Sequence, residues 1–517
     1  MKIISIHTKH DANLSISEND KIILVLELER IFKKRYFASS NDKAEFKKEW
    51  KKAIEIAKEY SGIKHFDIAI TNWVVPSKLK ILKEIINANE WVKCDHHKAH
   101  AALGFYDSDF KNPLILSYDG GGNDGVFNFY NILNNKVNLL KRSLLNIGAA
   151  YRLLGSLMPE ITNKKEQPRG GHMSLSGKIM GYSALGIVID EWVNPLINYY
   201  KYYQYPVQAL YSLSNEIEVD FEEGVQLENT IARNLAASSQ KALGKIVLEE
   251  INKMLKTDNY DGIVLSGGVA LNVINNSLIK ENFGLPVHVP NAPNDCGISL
   301  GSIFARFPPK IKRQVTYKGL PLLENLPENI TKTGRKYNLS EIADLLVNKK
   351  AIIGIAIGRS EIGPRALGNR SIICYPDSDE KKEIINKRIK FREWYRPLAP
   401  VIKEDKSELF FEKKIYSPYM SFAYPLKKNI QGKFPAVEHL DKTARLQTVN
   451  RKQHLWLYEL LDEVEKRTGF PILLNTSFNT KGKPLLFDSK EAIKILRDTE
   501  LTHVIINDLL YSKEDLK

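Results

Sequence analysis

The sequence predicts an α/β protein of two or more domains, and three observations carry that reading. The chain has 517 residues, more than one compact core is built from. Short apolar runs of strand length recur along it, several ending in polar or glycine-rich sequence, where α/β proteins place their ligands. Longer segments with helical periodicity lie between them. The composition, 43% hydrophobic and 26% charged, is that of an ordinary soluble globular chain.

Lys2–His7 reads as the first strand and "KIILVLELER" (Lys21–Arg30) as a second apolar run. Ala44–Glu59 reads as a helix with lysine on its outer face. "FDIAITNWVV" and "PLILSYDGGG" read as buried strands, and 140–250 as a helical section rich in tyrosine. "YDGIVLSGGVALN" and "PVHVPNAPNDCGISLG" are two further strand–loop–helix units. A proline-rich, weakly periodic stretch predicts a linker over 306–335 between a first domain, 1–305, and a second α/β unit, 336–517. No short repeat is visible.

No window approaches ~18 apolar residues, so no membrane span is expected. The opening "MKIISIHTKHDANLSI" is too polar for a signal peptide. Cys94, Cys296 and Cys374 are far apart and odd in number, which favours a reducing, cytoplasmic setting over a disulfide framework. The net charge of +14 raises the question of an anionic partner. The Lys, Ile and Asn bias of AT-rich coding sequence also adds lysines.

"KCDHHKAHA" sets His96 and His100 four residues apart, on one face of a helix, as a shared metal requires. Asp295 in "PNDCG" could add a carboxylate, and such a set suits a catalytic divalent metal, iron among the candidates. On spacing alone, a polar helix start capped by Asp95 is the stronger reading. His97 lies off that face, toward a supporting bond or solvent. In "YDGGGNDG", Gly120, Gly121 and Gly122 would let backbone N–H groups approach phosphate, and Asp119 could hold a metal or its water. The alternative is a hairpin turn with Asn123 and Asp124 at its tip. "SGGVALN" (Ser266, Gly267, Gly268, Asn272) is a second strand-to-helix turn against which a nucleotide could rest. Two such turns with acidic loops suggest an actin-like ATPase core, two lobes clasping a nucleotide.

"HDANLSI", "HHKAHAA", "SYDGGGNDG", "GKIMGYSALG", "SGGVALN" and "VPNAPNDCGISLGS" resemble, in order, the N-terminal domain of the O-carbamoyltransferases of nodulation-factor and antibiotic biosynthesis. That domain is similar to the one in threonylcarbamoyladenosine synthases. "GRSEIGPRALGNRSI", "IKFREWYRPLAPVI", "SPYMSFAY", "DKTARLQTVN" and "LLNTSFNTKGKPL" resemble the family's C-terminal, YrdC-like domain. The resemblance reverses the reading of the histidines, because His96, His100 and Asp295 match the family's metal ligands. Ser360, Ile362, Trp394 and Tyr395 depart from the usual pattern in ways that bear on packing.

What the resemblance implies is a two-step reaction. Carbamoyl phosphate and ATP, with Mg2+ as its companion, give carbamoyl adenylate with loss of pyrophosphate in the C-terminal domain. The N-terminal domain, with its metal as Lewis acid, then passes the carbamoyl group to an acceptor hydroxyl and releases AMP. Arg365, Arg370, Lys390, Arg392, Arg396 and Arg445 offer cations for the first step, interleaved with Gly, Pro and aromatics. Asn475 and Ser477 can hydrogen-bond a carbamoyl amide or ribose, with Asn479 fixing the turn. His10, Asp11 and Asp119 are candidate bases for the acceptor's proton. Lys178 is either a phosphate contact or a surface lysine.

The acceptor stays open among three readings. A small sugar, aminoglycoside or polyol hydroxyl is the family default. A hydroxymethylated pyrimidine such as hydroxymethylcytosine, in DNA or a nucleotide, is favoured by the charge and by "RIFKKRYF" (Arg30–Phe37), basic residues among aromatics as in a strand-binding groove. The tyrosines of "INYYKYYQYPVQALY" could stack bases, or form helix core and surface rings. The third reading, a non-catalytic nucleic-acid-binding protein, sits poorly with so many matched site positions. Oligomeric state, a homodimer included, is not legible.

Overall fold

The computed structural model describes residues 1–162, 172–221, 227–312, 314–323 and 326–516. It forms two units. One is Met1–Val25 with Ala38–Val315; the other is Leu26–Phe37 with Thr316–Lys517. The sequence boundary at 305/306 therefore moves. Asn291 Nδ2 donates to the Val315 carbonyl at 2.9 Å, which holds the chain in the first unit to that point. Beyond it, Ile362 donates to the Thr316 carbonyl and Gly319 to the Ser360 carbonyl, so the described part of the expected linker after Val315 is built into the second unit. Residues 313, 324 and 325 of that stretch lie outside the described residues.

In the first unit, alternating and fully apolar runs give two five-stranded sheets. The first has the order β3-β2-β1-β4-β5, with β1 Lys2–His7, β2 Asn13–Glu18, β3 Lys21–Glu27, β4 Phe66–Asn72 and β5 Ala88–Cys94. β1 and β2 are antiparallel, with Ile4 opposite Ile16, whereas β1, β4 and β5 run parallel. The second has the order β10-β9-β6-β7-β8, with β6 Leu114–Tyr118, β7 Phe127–Leu133, β8 Lys136–Ser143, β9 Ile263–Ser266 and β10 Val287–His288. Here β6–β7 and β7–β8 are antiparallel, and β6, β9 and β10 parallel. Counted within themselves, both sheets read 3-2-1-4-5. This is the duplicated order of the actin-like core that the two glycine turns suggested. The repeat escaped the sequence because it is one of topology, not of residues.

A helix follows the last strand of each sheet: His96–Asp107 after β5 and Ile298–Arg306 after β10. The two pack closely because glycines permit it. A Cβ on Gly301 would lie 2.1 Å from the Ala99 carbonyl oxygen; Gly104 serves a different contact, since a Cβ there would lie 2.5 Å from Val264 Cγ1 of β9. The helix expected at 44–59 spans Lys43–Ser61, with the Asp42 side chain accepting from the Glu45 amide and Gly62 closing it at φ 71°. The tyrosine run divides as core and surface. Tyr199, Tyr200 and Tyr203 are buried, whereas Tyr202, Tyr205 and Tyr211 are exposed.

The second unit is an eight-stranded mixed sheet ordered β11-β20-β19-β12-β13-β18-β14-β17. Its central strands are β12 Ile352–Ala356, β13 Arg370–Cys374, β18 Ile472–Ser477 and β14 Ala399–Lys403. Outside them lie β11 Arg335–Lys336, β17 Gln447–Val449, β19 His503–Ile506 and β20 Leu509–Ser512; β15 Ala423–Pro425 and β16 Thr443–Arg445 form a separate pair. Both faces are covered. Along β12, Ile353 and Ile355 join the core under helices Leu339–Val347 and Leu455–Thr468, while Ile352 and Ala356 join the core under Ser489–Asp498. Among the described residues, no helix is long and apolar enough to cross a membrane.

Candidate metal centre and phosphate pocket

The helix His96–Asp107 begins without help from its own cap residue, since Asp95 makes no capping bond. The polar loop after β6 does that work instead. Asn123 Oδ1 accepts from the His96 amide at 3.0 Å, and the Asp124 carboxylate accepts from His97 at 2.8 Å and Lys98 at 3.3 Å. An anion at a helix start is favoured by the unpaired amides and the dipole. Asn123 and Asp124 are thus a cap for the histidine helix, not a free hairpin tip. Asp124→Ala should cost about 1–2 kcal/mol, read as a lower denaturation midpoint, and should weaken divalent-metal binding with it.

His96 Nε2 and His100 Nε2 face each other at 3.2 Å, and Asp295 Oδ1 lies 3.4 and 3.3 Å from them. Asp119 Oδ2 is 3.3 Å from His100 Nε2. All four side chains are buried, with one ligand atom of each within 4.8 Å of the others. Burial holds the His96 imidazole down to about 3. For His100, burial is outweighed by the Asp119 and Asp295 carboxylates, which accept from its ring N–H and raise it to about 9. Asp295 is driven well below the carboxylate range, its burial outweighed by His96, His10, His100 and His7. Two nitrogens and two carboxylates converging on one point fit a divalent cation, iron(II) among the suitable ones. Asp119 therefore joins the three expected ligands.

His10 stands beside this group, its Nε2 3.5 Å from Asp295 Oδ2 and its Nδ1 3.2 Å from Asp11 Oδ2. The sequence reading missed His7, whose Nε2 lies 3.3 Å from Asp295 Oδ2. Its position as the last residue of β1, beside a ligand loop, was the available signal. His97, expected at a supporting bond or in solvent, is buried, with Nδ1 2.8 Å from Ser117 Oγ. Trp73 is 43% exposed at φ 46°, edge-on to the His96 ring at 6.2 Å, with the Lys9 ammonium over it.

The two glycine turns are pinned together by Asp119, whose carboxylate accepts from Gly120 at 2.5 Å and Gly268 at 2.7 Å. Gly267 takes φ 90° and could carry no side chain, since a Cβ would lie 2.2 Å from the Tyr118 carbonyl oxygen. Gly122 packs against the His97 ring, whereas Gly121 faces open space. Two expected ligand contacts are corrected. Ser266 Oγ donates to the His100 carbonyl at 2.8 Å, and Asn272 caps helix Val273–Phe283 and pairs with Gln240. Lys178 is half-buried and donates to the Ile161 carbonyl.

In the second unit Lys390 is buried, with Nζ donating to the Ser477 carbonyl, Ser477 Oγ and Asn479 Oδ1. Asn479 thus holds the lysine as well as its turn. Burial, then the charges of Arg392, Arg35 and Arg396, push Lys390 well below its ordinary range. Arg365 is held down to about 10 by burial and by Arg396 and Arg35, and Arg445 falls further through burial beside Arg365, Arg392 and Arg396. Arg392 Nη2, Arg445 Nε and Asn475 Oδ1 are buried without a hydrogen-bond partner among the described residues. Arg370 is a correction. Its guanidinium donates to the Ile357, Gly358 and Asn369 carbonyls and so holds the loop rather than a ligand.

The carbamoyltransferase N-terminus model matches residues 10–304, and the carbamoyltransferase C-terminus model matches 343–513. An uncharacterized protein of Methanocaldococcus jannaschii is 31% identical over 461 residues, 84% of this chain and 86% of that protein. Nodulation protein U of Rhizobium tropici is 31% identical over 440 residues, 81% of this chain and 75% of that protein. Among solved structures, full-length HypF in its phosphate- and nucleotide-bound form aligns at a TM-score of 0.38 and 14% identity, over 59% of this chain and 46% of that one. With family models matched in both parts of the sequence, the first over more than half of it, the chain belongs to the carbamoyltransferase family, and it is an enzyme of that kind.

Proposed function

We propose that the protein joins carbamoyl phosphate and ATP into carbamoyl adenylate in its second unit and transfers the carbamoyl group to an acceptor hydroxyl in its first. The observation that carries this is the crowd of cations in the second unit, Lys390 buried and Arg365, Arg392, Arg396 and Arg445 half-buried. Like charges out of water are costly unless an anion neutralises them, and unpaired donors on Arg392 and Arg445 await one. Carbamoyl phosphate and a triphosphate bring that charge, which arginine forks bind bidentately. In balance, carbamoyl phosphate, ATP and one water give carbamoyl adenylate, phosphate and pyrophosphate.

In the first unit, His96, His100, Asp119 and Asp295 would hold a divalent cation, which as a Lewis acid offsets charge on the adenylate phosphate. The acceptor oxygen bonds to the carbamoyl carbon, the carbon–oxygen bond to AMP breaks, and the acceptor's proton must leave. Asp119 is committed to Gly120, Gly268 and His100, so the adjacent His10–Asp11 pair is better placed to take it. The exposed Trp73 ring beside His96 offers a stacking surface for a sugar or a base.

We favour a small polyhydroxylated acceptor, because part of what pointed to DNA is used internally, while Lys34, Arg35, Tyr202, Tyr205 and Tyr211 stay exposed. Arg30 is buried and Tyr199, Tyr200 and Tyr203 lie in the core. A hydroxymethylated pyrimidine remains the second reading, supported by the net charge of +14 and by Trp73. The test is mass spectrometry with ATP, carbamoyl phosphate and ferrous iron over sugars, aminoglycosides, hydroxymethylcytosine nucleotide and hydroxymethylcytosine DNA. Conversion of ATP to AMP and pyrophosphate only when carbamoyl phosphate is present is expected. ATP turnover indifferent to carbamoyl phosphate would sink the proposal.

A further inference from the structure

The stretch "RIFKKRYF" read as a strand-binding groove, but its residues belong to the second unit. Arg30 is buried there, with Nη1 donating to the Glu361 carbonyl at 2.7 Å and Nη2 to the Gly363 carbonyl at 3.2 Å. Glu27 Oε1 accepts from both Arg30 Nη2 and the Gly363 amide. The segment is thereby clamped to the loop that carries Arg365, two residues beyond Gly363. Lys33 pairs with Asp488 at 2.5 Å on its other side.

Past the clamp the chain makes a tight turn. Lys33 and Tyr36 take φ 51° and 57°, a region non-glycine residues rarely occupy. The turn is closed by the Lys34 amide donating to the Glu29 carbonyl and the Tyr36 amide to Glu29 Oε2. At its tip, Arg35 is exposed, with its guanidinium over the Tyr36 ring at 4.7 Å. Its charge is among those that depress Arg365, Lys390, Arg392 and Arg396, so it stands within electrostatic reach of all four. Glu393 offsets part of that field at Arg392 and Arg396.

We infer that Arg35, delivered by the N-terminal segment Leu26–Phe37, is a phosphate-binding residue at the mouth of the second unit's cation pocket. A strained turn, braced on both sides, presents a cation toward other cations. A bound polyanion would offset that crowding of like charge and so stabilise the protein. The identity of that polyanion as carbamoyl phosphate or ATP rests on the function proposed above; the site itself does not.

The test is calorimetric titration of the full chain with inorganic pyrophosphate. Arg35→Ala should weaken binding roughly ten- to hundredfold, with Arg35→Lys between it and wild type because lysine lacks the fork. Lys34→Ala, which removes the neighbouring exposed charge, should change it little. Saturating pyrophosphate should raise the thermal midpoint of wild type and Lys34→Ala more than that of Arg35→Ala, a difference a purely structural arginine would not give. Unchanged pyrophosphate affinity in Arg35→Ala, or equal losses in Arg35→Ala and Lys34→Ala, would overturn the inference. An Arg35-dependent affinity in a protein with no carbamoyl-phosphate-dependent ATP turnover would keep this site and reject the proposed reaction.

Discussion

Asp295→Asn should abolish carbamoyl transfer, by ~10³-fold or more, while carbamoyl-phosphate-dependent release of pyrophosphate continues. Asp295 is the anion that His7, His10, His96 and His100 all face. An amide keeps the shape and removes the charge. Among the described residues Asp119 is then the one carboxylate left facing His100 and a cation held there, and breaking a buried ion pair from one side costs about 3–5 kcal/mol. Metal content by elemental analysis should fall with activity, and the thermal midpoint with both. Transfer at the wild-type rate in Asp295→Asn would remove the histidine centre from the reaction.

Lys390→Met should do the reverse. Pyrophosphate release should fall by ~10²- to 10³-fold, while chemically supplied carbamoyl adenylate is still consumed in the first unit. Methionine fills much of the lysine's volume without its charge, so the Ser477 and Asn479 oxygens lose a donor but the repulsion from Arg392, Arg35 and Arg396 ends. The apo protein should therefore lose little stability, which separates a ligand-binding lysine from a structural one. Wild-type pyrophosphate release in this variant would make the pocket scaffolding.

The strands, the helix at 43–61 and the pairing of His96 with His100 were legible because each is local: a period, a cap, a spacing of four. Asp295 was legible only through a motif, since 195 positions separate it from His100. The misassigned residues fail for a shared reason. Ser266 reaches the His100 carbonyl across 166 positions and Asn272 reaches Gln240 across 32. Arg370 spends itself on three carbonyls that no side-chain pattern announces. A polar residue in a ligand loop looks the same in sequence whether it binds a substrate or braces the backbone. The placement of Leu26–Phe37 with the second unit was hidden because "KIILVLELER" reads as one apolar run, whereas β3 ends at Glu27 and the clamp begins there.

The doubled 3-2-1-4-5 order gives the histidine centre a history written in its chemistry. His10 and Asp119 occupy the same loop, between first and second strands, in the two halves of the first unit. His96 and Asp295 likewise open the helical segments that follow the two fifth strands. At these corresponding places one half contributes imidazoles and the other carboxylates. Neither half alone could assemble the centre, so a cation bound there would act as a rivet between them. Chelation should then register in the mechanics of the lobes, as faster amide exchange in the two helices packed at their seam, before any acceptor is present.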